Sequence, residues 1–285
     1  MPRNHPVLVL GLFALACAPT AKYVEPIQAE PVQDVSFTVK DSGPRSFRRT
    51  GPDSIELAGR LYRPSGNGPF SAVVLMHGCN GLGSGSTGLE NVALLLRASG
   101  YVALAVNSFS WRGVQTVCGN LTGSPTYSER VEDALGAKRY LSSLSFVDPS
   151  RIGLVGWSHG GITALEARAR GSATPDVMPF AAIAAYYPYC PSEDASSASI
   201  PLLILAGEGD DWCPAAQCQR FVANAASLGR DASIKTYPGA THAFDSVDGG
   251  KSIEFLGHRL TPDPIAARDS REQLLAFFNR TLKKP

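Results

Sequence analysis

The chain is poor in charge. Asp, Glu, Lys and Arg make up 18% of its 285 residues and nearly cancel, leaving a formal net charge of +1. Nucleic acids and anionic membranes are bound through clustered positive charge, so this composition argues against either as the main partner. The chain also lacks an apolar run long enough to cross a bilayer: Val7 to Ala16 falls far short of the ~20 residues a helical span needs. No internal repeat recurs, and the six cysteines and five histidines show no zinc-type spacing. What remains is a chain of normal length for a single α/β sheet domain, apolar enough to fill one core.

The most informative segment is Ile152-Gly153-Leu154-Val155-Gly156-Trp157-Ser158-His159-Gly160-Gly161. A short apolar run leads into a G-x-S-x-G pattern, and a helix-compatible stretch from Ile162 to Ala169 follows. In a strand–turn–helix context this pattern reads as a nucleophile elbow, whose glycines permit the tight turn that lifts Ser158 clear of the sheet. Downstream, Pro201 to Gly207 is a buried-strand run ending in Glu208-Gly209-Asp210-Asp211-Trp212-Cys213-Pro214. The next strand candidate, Ala232 to Tyr237, runs into Pro238-Gly239-Ala240-Thr241-His242. The order Ser158, Asp210, His242 is that of α/β-hydrolases, and all three residues follow predicted strands, where active groups of open α/β sheets gather. A serine hydroxyl needs a base such as His242 to attack an acyl carbon, and the imidazole needs a carboxylate to fix its tautomer. Asp211 competes with Asp210 for that last role. An oxyanion hole needs two backbone N–H donors. His159, following the nucleophile, would give one, its side chain incidental. Cys79, in the loop His77-Gly78-Cys79-Asn80-Gly81 after the strand Ala72 to Met76, would give the other.

The remaining pattern alternates strands and helices. Val35–Val39 and Ile55–Tyr62 read as half-exposed antiparallel edge strands; Tyr101–Val106 and Ala181–Tyr186 read as central parallel ones. Helices fit Leu89 to Ala98, Tyr127 to Leu144 and Ala267 to Leu282, with Asp148-Pro149-Ser150 as a turn before the nucleophile strand. Gly81 to Gly88 forms a Gly/Ser-rich loop over the site. The predicted fold class is α/β, a mostly parallel central sheet with helices on both faces.

These motifs, together with Asn107-Ser108-Phe109-Ser110-Trp111-Arg112-Gly113, Arg130 with Asp133, and Tyr186-Tyr187-Pro188, resemble the dienelactone hydrolase family of α/β-hydrolases from about Ile55 onward. The resemblance implies one α/β-hydrolase domain with a minimal lid, cleaving ester or lactone bonds of small substrates with no metal or cofactor. The founding enzymes use a cysteine nucleophile with a companion glutamate in the oxyanion loop; here Ser158 and Gly78 stand at those positions. The two changes are mutually consistent and favour a serine carboxylesterase over an enzyme for dienelactone itself. Exported relatives imply disulfides Cys79–Cys118 and Cys190–Cys218, leaving Cys213 over. Trp111, Arg112, Trp157, Tyr187 and Trp212 lie on or beside the expected site loops and are candidate substrate-binding residues. Arg112 could grip a substrate carboxylate bidentately, or pair with a loop carboxylate instead.

The N-terminus reads as an export signal. Arg3 supplies positive charge, Val7 to Ala16 an apolar stretch, and Ala14-Leu15-Ala16-Cys17 resembles a bacterial lipobox with Cys17 lipidated. A secretory signal cleaved around Ala18 or Ala21 is the alternative. Residues 18–30 then form a tether and 31–285 the single domain, in the bacterial cell envelope (the periplasm, lipid-anchored or not) or secreted. Membrane contact is expected only through such an anchor. The leading function is hydrolysis of a small-molecule ester or lactone; a peptidase or amidase on the same fold and a non-catalytic envelope binding protein are the alternatives.

Overall fold

The computed structural model describes residues 1, 30–40, 54–83, 86–120, 125–171, 178–192, 199–246 and 250–283. The expected signal, Cys17 and the tether up to residue 29 lie outside the described residues. In chain order the strands are β1 (Gln33–Lys40), β2 (Ser54–Tyr62), β3 (Phe70–Met76), β4 (Val102–Asn107), β5 (Val147–Trp157), β6 (Ile183–Tyr186), β7 (Leu202–Gly207), β8 (Ala232–Tyr237), β9 (Ile253–Phe255) and β10 (His258–Leu260). The α-helices are α1 (Thr87–Ala98), α2 (Tyr127–Ser143), α3 (His159–Arg170), α4 (Ala215–Ser227) and α5 (Pro264–Leu282).

Eight strands form one sheet in the order β1-β2-β4-β3-β5-β6-β7-β8. β1 pairs antiparallel with β2, and β2 antiparallel with β4, as the alternating edge patterns predict. The other pairings are parallel. Side chains of a strand alternate between faces. Ala72, Val74 and Met76 of β3 therefore join a core with Val131, Leu141, Ala164 and Phe221, beneath α2, α3 and α4. Val73 and Leu75 point the other way and pack with Leu89, Leu96, Phe277 and Phe278 of α1 and α5. Burial on both faces explains why the central strands read as unbroken apolar runs.

Two local features depart from the sequence reading. Asp148-Pro149-Ser150 lies inside β5 rather than before it. Its pairing with β3 jumps from Phe70↔Val147 to Ala72↔Ile152, and Asp148 Oδ1 accepts the Ser150 N–H at 3.0 Å, a turn-like bond within a bulged strand. The antiparallel hairpin β9–β10 and helix α4 are additions that the sequence reading did not include. Helix α2 begins with a capping box: Thr126 Oγ1 accepts the Glu129 N–H at 3.2 Å while Glu129 Oε2 accepts the Thr126 N–H at 2.7 Å. Such caps contribute about 1 kcal/mol, and this one fixes the helix turn that carries Arg130.

The parallel registers bring strand ends level. Met76 lies opposite Gly156, Trp157 opposite Tyr186, Tyr186 opposite Leu205 and Gly207 opposite Tyr237. The loops after β3, β5, β6, β7 and β8 thus open on one end of the sheet.

Candidate active site

Ser158 occupies the turn between β5 and α3 with φ 51° and ψ −115°, a conformation that side chains rarely adopt. Such backbone costs of order 1–3 kcal/mol and persists only where the surroundings enforce it. Gly160 helps to enforce it. A Cβ at Gly160 would overlap the carbonyl oxygens of Met76 and His77, so only glycine lets α3 start this close to β3.

His242 follows β8 and is 3% exposed. Its Nε2 is 2.8 Å from Ser158 Oγ, and its Nδ1 is 2.7 Å from Asp210 Oδ2. The other oxygen of Asp210, Oδ1, accepts the N–H groups of Trp212 at 2.9 Å and Cys213 at 2.7 Å. Between the two aspartates the structure is plain: Asp210 meets His242, whereas Asp211 turns outward, its side chain 57% exposed and 3.2 Å from His258 Nδ1. The buried Cys213 thiol beside this carboxylate is pushed up to about 12, chiefly by burial and then by the Asp210 charge.

A cleft of about 570 Å³, its open mouth included, lies over Ser158. His77, Gly78, Cys79, Asn80 and Gly81 line one side; Trp157, Tyr187, Trp212, Phe255, Leu89 and Leu260 give it apolar walls. Trp212 stacks on His258 with ring centroids 4.6 Å apart and planes 10° apart, which ties the β9–β10 hairpin to the loop carrying Asp210. The expected loop over the site contributes Gly81 and Ser86 to the lining; residues 84–85 lie outside the described residues.

Of the candidate substrate-binding residues, Trp157, Tyr187 and Trp212 reach the cleft. Trp111 and Arg112 do not line it. Trp111 is 60% exposed on a short 3-10 turn, Ser110–Arg112. Arg112 is committed elsewhere: Nη1 and Nη2 meet Asp133 Oδ2 and Oδ1 at 2.9 and 2.8 Å, and Nη1 also donates to Ser108 O at 2.6 Å. The reason is electrostatic. Asp133 is fully buried on α2, burial raises its pKa, and the planar guanidinium fork offsets that cost. The Arg112 grip on a substrate carboxylate is therefore corrected to the internal pairing.

Three further groups of residues belong to the site. Asp245 is buried behind the wall, accepting the Trp157 indole N–H at 2.8 Å and the Tyr187 hydroxyl at 2.6 Å, and burial raises its pKa. No motif marks it beyond its place three residues after His242. Arg130 and His77 form the second group. Arg130 Nη1 lies 2.7 Å from His159 Nδ1 and Nη2 2.7 Å from the His77 carbonyl. The side chain of His159 is thus engaged and not incidental. Phe255 and Leu260 come from the hairpin, whose signal was readable: short apolar alternation around Leu256-Gly257, both at positive φ.

The two disulfides are Cys79–Cys118 and Cys190–Cys218, with Cys213 left as a buried thiol. Among the described residues no cluster of His, Cys, Asp and Glu is arranged to hold a metal, and no helix is long and apolar enough to cross a membrane.

A model of the dienelactone hydrolase family matches residues 57–282. An uncharacterized protein of Mycobacterium tuberculosis is 30% identical over 231 residues, covering 75% of this chain and 78% of its own. A Bradyrhizobium protein described as a probable 2-oxo-3-(5-oxofuran-2-ylidene)propanoate lactonase is 27% identical over 195 residues, 65% of this chain and 77% of its own. Among solved structures, the dienelactone hydrolase-like promiscuous phosphotriesterase P91 from metagenomic libraries superposes with a TM-score of 0.67 at 19% identity, covering 90% of this chain and 100% of its own. The chain has the α/β-hydrolase fold, an eight-stranded, mostly parallel sheet flanked by helices.

Proposed function

The chain belongs to the dienelactone hydrolase family, and from that premise we propose that it is a serine hydrolase cleaving carboxylic ester or lactone bonds of small substrates. The observation that carries this reading is the position of His242, hydrogen-bonded to Ser158 Oγ on one side and Asp210 on the other. As Ser158 Oγ attacks the acyl carbon, His242 Nε2 takes its proton, and Asp210 keeps the Nδ1–H tautomer and stabilises the imidazolium. The oxyanion of the tetrahedral intermediate is received by the backbone N–H groups of Cys79 and His159. Collapse expels the alcohol, protonated by His242, and leaves an ester on Ser158. Water, activated by the same imidazole, releases the carboxylic acid. In a lactone the alcohol stays attached and leaves with the acid at the second step.

The apolar walls from Trp212, Phe255, Leu89 and Leu260 favour compact, weakly polar groups beside the reacting carbon. Two disulfides fit an oxidising compartment and thereby the export reading of the N-terminal segment, with the hydrolase domain beginning near residue 31.

A fluorophosphonate probe and a series of p-nitrophenyl esters, run beside aminoacyl amides, test the proposal. Labelling is expected at Ser158, abolished by Ser158→Ala and greatly reduced by His242→Ala, with esters turned over far faster than amides. Folded protein that neither labels nor hydrolyses esters would refute it; amides as the better substrates would make it a peptidase.

A further inference from the structure

Arg130 is 0% exposed, yet its hydrogen-bond partners are neutral: the His159 ring and the His77 carbonyl. The nearby buried carboxylate, Asp133, takes its bidentate bonds from Arg112 instead. Burying a guanidinium costs several kcal/mol and is normally offset by a directly bonded carboxylate. Burial lowers its pKa to about 9, with the Asp133 charge opposing, so it remains a cation at neutral pH. A methionine would fill such a place in a core without that cost. The charge must do something else.

The hydrogen bonds fix both imidazoles. His77 Nε2 accepts the Ser108 N–H at 3.2 Å, so the ring proton sits on Nδ1, which donates to Gly78 O at 2.7 Å; Arg130 Nη2, 3.3 Å from Nδ1, then meets a second donor there and spends its own hydrogen bond on the His77 carbonyl. Arginine is a donor only, so His159 Nδ1 accepts from Nη1 and its proton sits on Nε2. Both rings are held neutral. Burial lowers the pKa of each, with Arg130 acting in the same direction, His159 to about 3 and His77 well below its ordinary value.

The consequence falls on two peptide groups. In a trans peptide the C=O and the following N–H point opposite ways. Clamping Gly78 O on the His77 ring therefore turns the Cys79 N–H away from that ring. A Cβ built on Gly78 would stand 3.7 Å from Ser158 Cβ, so this peptide sits beside the nucleophile. Cys79 is pinned from its other end by Val117, whose N–H donates to Cys79 O at 2.9 Å. The second N–H is that of His159 itself, at the start of α3, where backbone donors have no intrahelical partner.

We propose that Arg130 is a positioning residue that, by gripping the His77 carbonyl and the His159 ring at once, aligns the Cys79 and His159 N–H groups to receive an oxyanion. This rests on the serine-hydrolase reading above. Removing one oxyanion donor costs roughly 10²–10³-fold in kcat, and loosening two is expected to cost ~10–100-fold in kcat with little change in KM.

The test measures Arg130→Met against wild type with p-nitrophenyl butyrate and with a trifluoromethyl ketone, which adds to the serine as an oxyanion. The expected result is a fall in kcat matched by an equal loss of ketone affinity, while KM stays near wild type. A second pair guards against a misfolded variant. His159→Leu, which offers no acceptor to Nη1, should lose kcat as Arg130→Met does, and His159→Gln, which offers one, should recover most of it. Wild-type kcat and ketone affinity in Arg130→Met, or equal kcat in the two His159 variants, overturns the inference alone. An inert wild type brings down the serine-hydrolase reading first, and this inference with it.

Discussion

Asp210→Asn is the sharpest probe of the site because the structure dictates which way the new amide faces. Asp210 Oδ1 accepts two backbone N–H groups, from Trp212 and Cys213, and Oδ2 accepts His242 Nδ1. Asparagine has one oxygen and one NH₂. Were the NH₂ turned to the backbone, it would confront two donors. The oxygen therefore stays there, and the NH₂ faces His242 Nδ1 as a donor. The imidazole must then present a bare Nδ1, carry its proton on Nε2, and lose the lone pair that would take the Ser158 proton. Loss of the base through the wrong tautomer is expected to lower kcat by ~10³–10⁴-fold, about 4–5.5 kcal/mol of transition-state stabilisation, with KM nearly unchanged. The assay is initial rates on p-nitrophenyl acetate across pH, with circular dichroism to verify folding. Asp211→Asn is the control: that side chain is 57% exposed and, among the described residues, meets only His258 in the hydrogen-bond network, so its kcat should stay within twofold of wild type. Asp210→Asn within tenfold of wild type, or Asp211→Asn as damaging as Asp210→Asn, would refute the reasoning.

Three further outcomes follow from packing and charge. Gly160→Ala drives a methyl group onto the Met76 and His77 carbonyls; it should destabilise by about 1–3 kcal/mol and slow fluorophosphonate labelling at least tenfold, whereas a wild-type labelling rate would mean that the elbow tolerates the shift. The Cys79–Cys118 bridge spans 39 residues, so its reduction should remove up to about 4 kcal/mol, read as a drop in urea midpoint once thiol titration shows it open; an unmoved midpoint would contradict this. His159 has a folded pKa of about 3, below its unfolded value near 6.5, so the native state binds fewer protons between those limits and stability falls as pH drops through that window. The loss attributable to this ring is about 2 kcal/mol at pH 5, with His77 adding in the same direction; His159→Gln should flatten the pH dependence of the urea midpoint between pH 7 and 5, and an unchanged slope would count against the buried neutral ring.

The fold was legible wherever one local rule governed an element. β3 and β7 announce themselves as apolar runs because helices cover both faces of the sheet, and β1 and β2 alternate because they form an edge. Boundaries were less legible. β5 extends back to Val147 because pairing with Phe70 resumes across the Asp148 turn, a long-range fact that turn-forming residues conceal. α4 has an amphipathic pattern and buries Cys218 and Phe221, but its start, at Pro214, carries no side-chain cap to signal it.

The site divides along the same line. Ser158, Asp210 and His242 stand out because each follows a strand in a fixed order, and parallel register then carries three distant loops to one end of the sheet. Residues that support them obey no such order. Arg112 and Arg130 belong to neighbouring segments and carry the same charge, yet one neutralises Asp133 and the other bridges two neutral histidines. Composition and spacing treat the two arginines alike; the division of labour arises because Asp133 can fill only one fork, and Arg112 fills it with both nitrogens. The cation left without a carboxylate is the one set between β3 and α3, where the two proposed oxyanion donors begin. Neutralising that ion pair, by Asp133→Asn with Arg112→Gln, should leave Arg130 in place and spare kcat more than Arg130→Met does. If that double variant instead loses kcat as fully as Arg130→Met, the brace depends on the whole cluster and not on Arg130's own two bonds.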